Sequence, residues 1–381
     1  MRLPNEERGD DGPASAGPRG DEPQRVRVVC AMSGGVDSAV AAALLDEAGY
    51  EVVGVTMKVY EPSRPAQARS CCGIRDFDDA RRCAAILGIP HYVLDFQEAF
   101  RREVVARFID DYRNGRTPNP CVNCNAFVKL GTLRAFGRRL GARFVATGHY
   151  ARLVHADDGP HLFAARDAEK DQSYALAGCA PEQLGALLLP LGDRTKAQTR
   201  AEAARFGLPV AQKPDSQEIC FVEGGDYREL LARAGTEAPG PILTTAGARI
   251  AEHTGISRYT VGQRRALPAT TSNDGPRYVT RIDPNTNAIV IGREDELYAC
   301  GLVADALNLI RPERFAGPTS VRARTRHRAP LGAALATVDR AAGTLTLAFG
   351  QPERAVTPGQ LVALCDAQGE VLAGATIREA L

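Results

Sequence analysis

The sequence has almost no net charge, no long apolar run and no regular cysteine spacing. Lys and Arg number 47 against 46 Asp and Glu, so bulk charge argues for no polyanionic partner and any such surface must be sought in local clusters. No segment reaches the roughly 18 continuous apolar residues that a membrane helix needs. Residues 1–24 are rich in Gly, Pro, Asp, Glu and Arg and contain no apolar signal core; they read as a disordered tail, neither signal peptide nor anchor. The ten cysteines are scattered through long apolar stretches, which excludes a disulfide scaffold and points to a reducing, cytoplasmic compartment. A chain of 381 residues needs no such staples, because its two or three domains can each bury a core. There is no internal repeat.

What is there begins with alternation. Residues 26–32 form a short β-branched run, followed by a Gly-Gly loop and an alanine-rich stretch, 39–48, ending at Gly49: strand, loop, helix. An apolar run (52–59), a helical pattern (76–87) stopped by Gly88 and Pro90, a strand (91–96), helices near 98–112 and 126–140, and a buried strand (142–146) continue the series. This predicts an α/β fold, a doubly wound parallel sheet with helices on both faces, binding nucleotide at the carboxyl ends of its strands. Beyond Phe221 helical periodicity weakens. Residues 278–282 and 288–291 read as a β-hairpin with a five-residue loop. The short alternating runs 321–326, 334–338 and 344–349 predict an antiparallel β-barrel. The expected division is a tail (1–24), a catalytic domain (25–221), a small central domain (222–300) and a C-terminal barrel domain (301–381).

The sharpest motif is Ser33-Gly34-Gly35-Val36-Asp37-Ser38, between a predicted strand and a predicted helix. Two glycines let the backbone approach a phosphate, hydroxyls and N–H groups supply donors, and the helix adds the positive end of its dipole. An ordinary glycine turn with a capping Ser or Asp explains neither the hexapeptide nor its setting. No Gly-Lys-Ser/Thr ends it, so it is not a Walker loop. Two more segments carry thiols. The proline-stiffened loop 115–125 holds Cys121 and Cys124 and leads into a helix expected near Ala126, where a thiol gains thiolate character. The segment 215–221 holds Cys220, far off in sequence, so two separated thiols could meet over one substrate. Cys71 and Cys72 read as adventitious loop thiols, and Cys30, Cys83, Cys179, Cys300 and Cys365 as small buried hydrophobes. His91 reads as a structural residue opening a strand. The basic clusters 134–143, 263–265 and 322–328 each read, alone, as a solvated face.

The hexapeptide resembles the PP-loop ATP pyrophosphatase superfamily, whose members cleave ATP to AMP and pyrophosphate while activating a carbonyl. With the two cysteine segments, Thr147-Gly148-His149-Tyr150, Lys170-Asp171-Gln172-Ser173-Tyr174, Tyr259-Thr260-Val261-Gly262-Gln263-Arg264 and Thr357-Pro358-Gly359-Gln360, residues 26–381 resemble the bacterial tRNA-specific 2-thiouridylases within it. The resemblance implies ATP at Ala31, Met32, Ser33, Gly34, Gly35, Val36, Asp37, Ser38, Met57 and Gly148, with Mg²⁺ on its phosphates. It implies Cys220 as persulfide carrier and Cys124 as nucleophile. Asn119, Pro120 and Cys121 would lie beside the target base, with His149, Lys170, Asp171, Gln172, Arg326, His327 and Gln360 against the tRNA. The implied reaction is adenylation of the C2 carbonyl of the wobble uridine, then sulfur transfer, in tRNAs for glutamate, glutamine and lysine. The sulfur would come from a cysteine desulfurase or a relay protein. In that context the arginines of 322–328, alternating on a barrel strand, follow a phosphate backbone.

Two departures stand out. Cys121 occupies a position where an aspartate thought to assist acid–base steps is typical, and Ala31 one where a glycine is common. Cys121, Cys124 and Cys220 would together suit an iron–sulfur cluster with one open position, while zinc, a redox disulfide and plain persulfide chemistry are also allowed. Other readings are another thiolase product, 2-thiocytidine or 4-thiouridine, and a non-catalytic nucleotide- or RNA-binding protein.

Overall fold

The computed structural model describes residues 25–60, 74–215, 219–222, 226–268 and 275–381. The tail, Cys71, Cys72 and residues 216–218 lie outside these. The first seven strands are β1 (Arg27–Ala31), β2 (Glu51–Lys58), β3 (His91–Asp95), β4 (Phe144–Ala146), β5 (Arg152–Ala156), β6 (Gly159–Phe163) and β7 (Leu187–Leu188). Five of them build one parallel sheet in the order β3-β2-β1-β4-β7.

Both faces of this sheet are covered, which is why β1 reads as an unbroken apolar run. Val28 and Cys30 point into one cluster with Ala39, Val40 and Ala203, while Val29 and Ala31 point into another with Val104, Phe108 and Leu133. The first cluster packs under α1 (Val36–Glu47), α2 (Ile74–Leu87) and, after two long helices, α5 (Lys196–Arg205). Alanine-rich α1 ends where Gly49 turns at φ +88, a left-handed geometry that favours glycine. The long helices α3 (97–113) and α4 (120–139) back the second face. Along α3, Phe100, Val104, Phe108 and Tyr112 fall at intervals of four and are buried, and the Phe221 ring packs edge-on to both Phe100 and Phe108, at 5.6 and 5.3 Å.

Helix α4 corrects the expected start near Ala126: it begins at Pro120. Asn119 accepts the Cys121 N–H at 3.1 Å, and a proline at the first helical position needs no donor. Cys121 and Cys124 are therefore helical residues, and a wide-turn π stretch runs from Cys124 to Leu133, a geometry frequent at functional sites.

The central segment holds β8 (Gly240–Thr244), β9 (Arg249–His253), β10 (Tyr278–Asp283) and β11 (Ala288–Gly292), preceded by α6 (Tyr227–Arg233). They form a sheet in the order β10-β11-β8-β9 over Ile242, Ile256, Val279, Ile289 and Ile291. Asp283 pairs with Ala288, so the expected five-residue hairpin loop is one residue shorter. The last strands are β12 (Tyr298–Leu309), β13 (Thr319–Arg324), β14 (Gly332–Asp339), β15 (Thr344–Arg354), β16 (Leu361–Cys365) and β17 (Glu370–Ala380). Pairing of β12 with β17 closes them into an antiparallel barrel. Two findings depart from expectation. The hairpin β5–β6, within the stretch assigned to the catalytic domain, joins the barrel sheet through β17, because Leu162 and Phe163 pair with Val371 and Glu370 there. And β13 ends at Arg324, so Arg326, His327 and Arg328 lie on the following turn rather than on a strand. There Arg328 takes φ +65.

Candidate active site

The Ser-Gly-Gly loop joins β1 to α1. Gly34 turns at φ +73, and a Cβ there would collide with the Asp76 carbonyl oxygen. The loop is laced internally: Ser33 N–H donates to Ser38 Oγ at 3.0 Å, and Ser38 Oγ–H to the Gly35 carbonyl at 3.1 Å. Its floor is Thr56, which donates to the Met32 carbonyl at 2.7 Å and meets His91 Nε2 at 2.8 Å. Met57, expected at the nucleotide, follows on β2.

Two lysines far along the chain reach this loop, and nothing in their local sequence marks them. Lys213 Nζ bonds the Gly34 carbonyl at 2.9 Å and the carboxylates of Asp76 and Asp79 at 2.6 Å each. Lys196 Nζ, at the start of α5, bonds both Asp37 oxygens at 2.7 and 2.8 Å and Asp215 Oδ1 at 2.7 Å. Tyr150 donates to Asp37 at 2.8 Å. Burial pushes the Asp215 pKa up, but Lys196 and Lys170 outweigh it and hold it below the usual carboxylate range.

The strand end after β4 closes the opposite side. A Cβ on Gly148 would stand 2.7 Å from the Asp37 carbonyl carbon and the Ser38 nitrogen, so only glycine lets this strand end touch the loop. His149 follows, with Nδ1 2.7 Å from Thr147 Oγ1 and Nε2 3.3 Å from Lys129 Nζ on α4. Burial, then Lys129, holds its pKa well below the ordinary value, so the ring is neutral at pH 7. A lysine donating to Nε2 leaves the proton on Nδ1. Lys129 also donates to Asn125 Oδ1 at 3.0 Å. One wall thus connects the Ser-Gly-Gly loop, through Gly148 and His149, to the helix that carries Cys124.

Cys121 is exposed, and Cys124 and Cys220 are half-buried. Both of the latter pack against the cluster that contains Phe100, Phe108 and Phe221. Among the described residues no group of three His, Cys, Asp or Glu side chains is placed to hold a metal ion. Cys121, Cys124 and Cys220 are not placed together as such a set. Asp37, Asp76 and Asp79 are all engaged by lysines. Burial raises the Cys30 and Cys179 thiols to about 12 and Cys83 and Cys365 to about 11; these are inert thiols, as expected. Cys300, expected buried, is exposed.

The barrel supports the cysteine loop. Thr117 N–H donates to the Pro358 carbonyl at 2.8 Å, Gln360 Nε2 donates to the Thr117 carbonyl at 2.6 Å, and a Cβ on Gly359 would lie 2.8 Å from the Thr117 nitrogen. Of the residues expected against tRNA, Gln360 thus points inward. So does Gln172, whose Oε1 accepts the Tyr150 N–H at 2.9 Å. Asp171 is buried, with Oδ1 taking the N–H groups of Ala165 and Ser173 and Oδ2 taking Arg324 at 3.0 Å. Lys170 and His327 do share a cleft of about 420 Å³, lined also by Asp171, Arg324 and Arg328, with Arg326 exposed on its rim turn.

A PP-loop sheet followed by two β domains, with thiols on the helix beside the loop, defines a class of ATP-dependent enzymes with more than one substrate. Family models match the chain in three consecutive parts: a tRNA methyl transferase HUP domain over residues 26–224, a tRNA methyl transferase PRC-barrel domain over 228–293 and an aminomethyltransferase β-barrel domain over 300–377. The tRNA-specific 2-thiouridylase MnmA of Moorella thermoacetica is 47% identical over 350 residues, covering 90% of this chain and 97% of that protein. Those of Desulforamulus reducens (43%; 91% and 95% covered) and Symbiobacterium thermophilum (43%; 95% and 94% covered) are similar to it as well. The chain belongs to the MnmA family of tRNA-specific 2-thiouridylases.

Proposed function

We propose that this enzyme converts the wobble uridine of tRNAs for glutamate, glutamine and lysine to 2-thiouridine. The observation that carries the reading is the shared wall just described, on which Gly148 touches the ATP loop and His149 is bonded to the Cys124 helix. The base must be extruded from its stack to reach such a site, which is least costly in a loop. ATP would lie along residues 31–38, with its phosphates on the loop N–H groups and the start of α1, beside Met57 and Gly148. The uridine O2 attacks the α-phosphorus and pyrophosphate leaves. The terminal sulfur of a Cys220 persulfide attacks C2, and AMP departs with the former O2. Cys124 thiolate then attacks Cys220 Sγ, releasing the thiocarbonyl and leaving a Cys124–Cys220 disulfide that a thiol reductant must reopen. This chemistry uses both an ATP loop and two thiols, whereas the methyl transfer in the family-model descriptions requires neither.

Asn119, Pro120 and Cys121 would flank the base at the start of α4. Lys170, Arg326 and His327 would meet the tRNA backbone across the 420 Å³ cleft. Asp171, Gln172 and Gln360 would act by holding their neighbours, given their inward bonds. We assign the reaction to the cytosol, with sulfur supplied by a cysteine desulfurase directly or through a relay. No helix among the described residues is long and apolar enough to cross a membrane.

The test is mercury-gel retardation of an unmodified glutamate-tRNA transcript incubated with the protein, ATP, Mg²⁺, cysteine and a desulfurase. A retarded band that requires ATP and disappears when the wobble uridine is cytidine is expected. Its absence with folded protein and active desulfurase, or its persistence with cytidine, refutes the assignment.

A further inference from the structure

Residues on either side of Cys220 are held in place, and the upstream ones, 211–215, are joined to the ATP loop. Downstream, Phe221, next to Cys220, is packed against Phe100 and Phe108. Upstream, Arg200 of α5 donates to the carbonyls of Ala211 at 2.6 Å and Lys213 at 3.0 Å, and Lys213 bonds the Gly34 carbonyl of the loop. Three cations converge on Asp215, five residues before Cys220. Lys196 meets Oδ1 at 2.7 Å while its other bonds go to Asp37 of the loop; Lys170 meets Oδ2 at 2.9 Å; Arg200 meets Oδ1 at 3.3 Å.

These cations belong to different parts of the reaction. Lys196 stands at the ATP loop, Lys170 at the cleft proposed for tRNA, and Arg200 on the scaffold. Cys220 follows Asp215 by five residues, so an extended chain places it no more than about 17 Å away. Lys196 and Asp215 are mostly shielded, with side chains 13% and 25% exposed, so their attraction is stronger than at an open surface. The carboxylate at this junction is fixed from three sides.

We propose that Asp215 is a positioning residue, the joint through which the ATP loop and the 168–171 loop together set Cys220 over the activated base. The inference rests on the thiolation reading and adds a device that links adenylation to sulfur delivery. Loss of the joint leaves the adenylate forming but misplaces the sulfur, so that adenylated tRNA is lost to water.

Asp215→Asn preserves shape and removes the charge. The quantity to measure is thiolated tRNA formed per pyrophosphate released. A purely structural role lowers both together and leaves the ratio alone. The expected result is a ratio about 10²-fold below wild type, as a misplacement near 1 Å produces, with recovery in Asp215→Glu. Arg200→Met, which removes the backbone clamp as well, is expected to lower the ratio in the same direction and serves if Asp215→Asn folds poorly. A ratio within about twofold of wild type in both variants overturns the proposal. Alkylation of Cys220, followed by mass spectrometry in protein without tRNA, separates this from failure of the thiolation reading. If wild type makes no thiolated tRNA, that reading falls, and an Asp215→Asn alkylation rate differing from wild type at Cys220 but not at Cys124 still supports the joint. An unchanged Cys220 rate refutes it.

Discussion

Replacing Gly148 with alanine tests the contact between the strand end and the ATP loop. The added methyl would sit 2.7 Å from the Asp37 carbonyl carbon and the Ser38 nitrogen and 2.9 Å from the Asp37 oxygen. Carbon atoms rest at about 3.5–4.0 Å, so the end of β4 and the start of α1 must separate by about 1 Å. Every atom on the far side is backbone, so no side chain can rotate away. Overpacking of this kind costs about 1–3 kcal/mol, and a 1 Å displacement of a reacting site costs about 10²-fold in rate, equivalent to about 2.7 kcal/mol of barrier. We expect kcat/KM for ATP in tRNA-dependent pyrophosphate release to fall by that factor while Tm falls by a few degrees. Gly317→Ala, at a site with nothing within 4 Å, is the control. A Gly148→Ala enzyme within about twofold of wild type would refute the close-approach reasoning.

Cys220→Ser and Cys124→Ser are each expected to abolish thiolation in the mercury gel, whereas Cys121→Asp, which restores the carboxylate typical of that position, is expected to retain it; survival of activity in Cys220→Ser would sink the persulfide assignment. Gln360→Leu removes the 2.6 Å bond to the Thr117 carbonyl and should cost about 1 kcal/mol of stability, read as a fall of a few degrees in Tm, with slower thiolation in the mercury gel. His161 meets Asp158 at 2.9 Å and Glu370 at 2.7 Å; Asp158 raises its pKa most, burial opposes and Glu370 adds. The stability this supplies is full below the unfolded value of about 6.5 and fades as pH rises through the higher folded value. His161→Gln should therefore lower Tm more at acid than at alkaline pH, and an equal loss at both would refute the charged-ring account.

The sequence by itself determined what neighbouring residues decide. The hexapeptide, with its two glycines and flanking apolar run, specified strand, loop and helix start, and the turn signals after Phe221 specified small antiparallel β units. Local pattern misjudged the start of α4, because Asn119 and Pro120 cap it before apolar periodicity begins, and it carried Arg326 onto a strand that ends at Arg324. Only the tertiary structure decided which side chains meet. Lys196 and Asp37 are 159 positions apart, and Gln360 and Thr117 are 243 apart; no period or spacing encodes either pair. The Thr357-Pro358-Gly359-Gln360 turn was recognisable as a motif, but not as the support of the cysteine loop. Asp171 and Gln172 lie beside Lys170 in one motif yet turn inward while Lys170 faces the cleft. Local structure follows from backbone preference and burial period within a few residues. Partner choice follows from where the folded sheets bring distant charges together, in surroundings where an unpaired one would cost too much to bury.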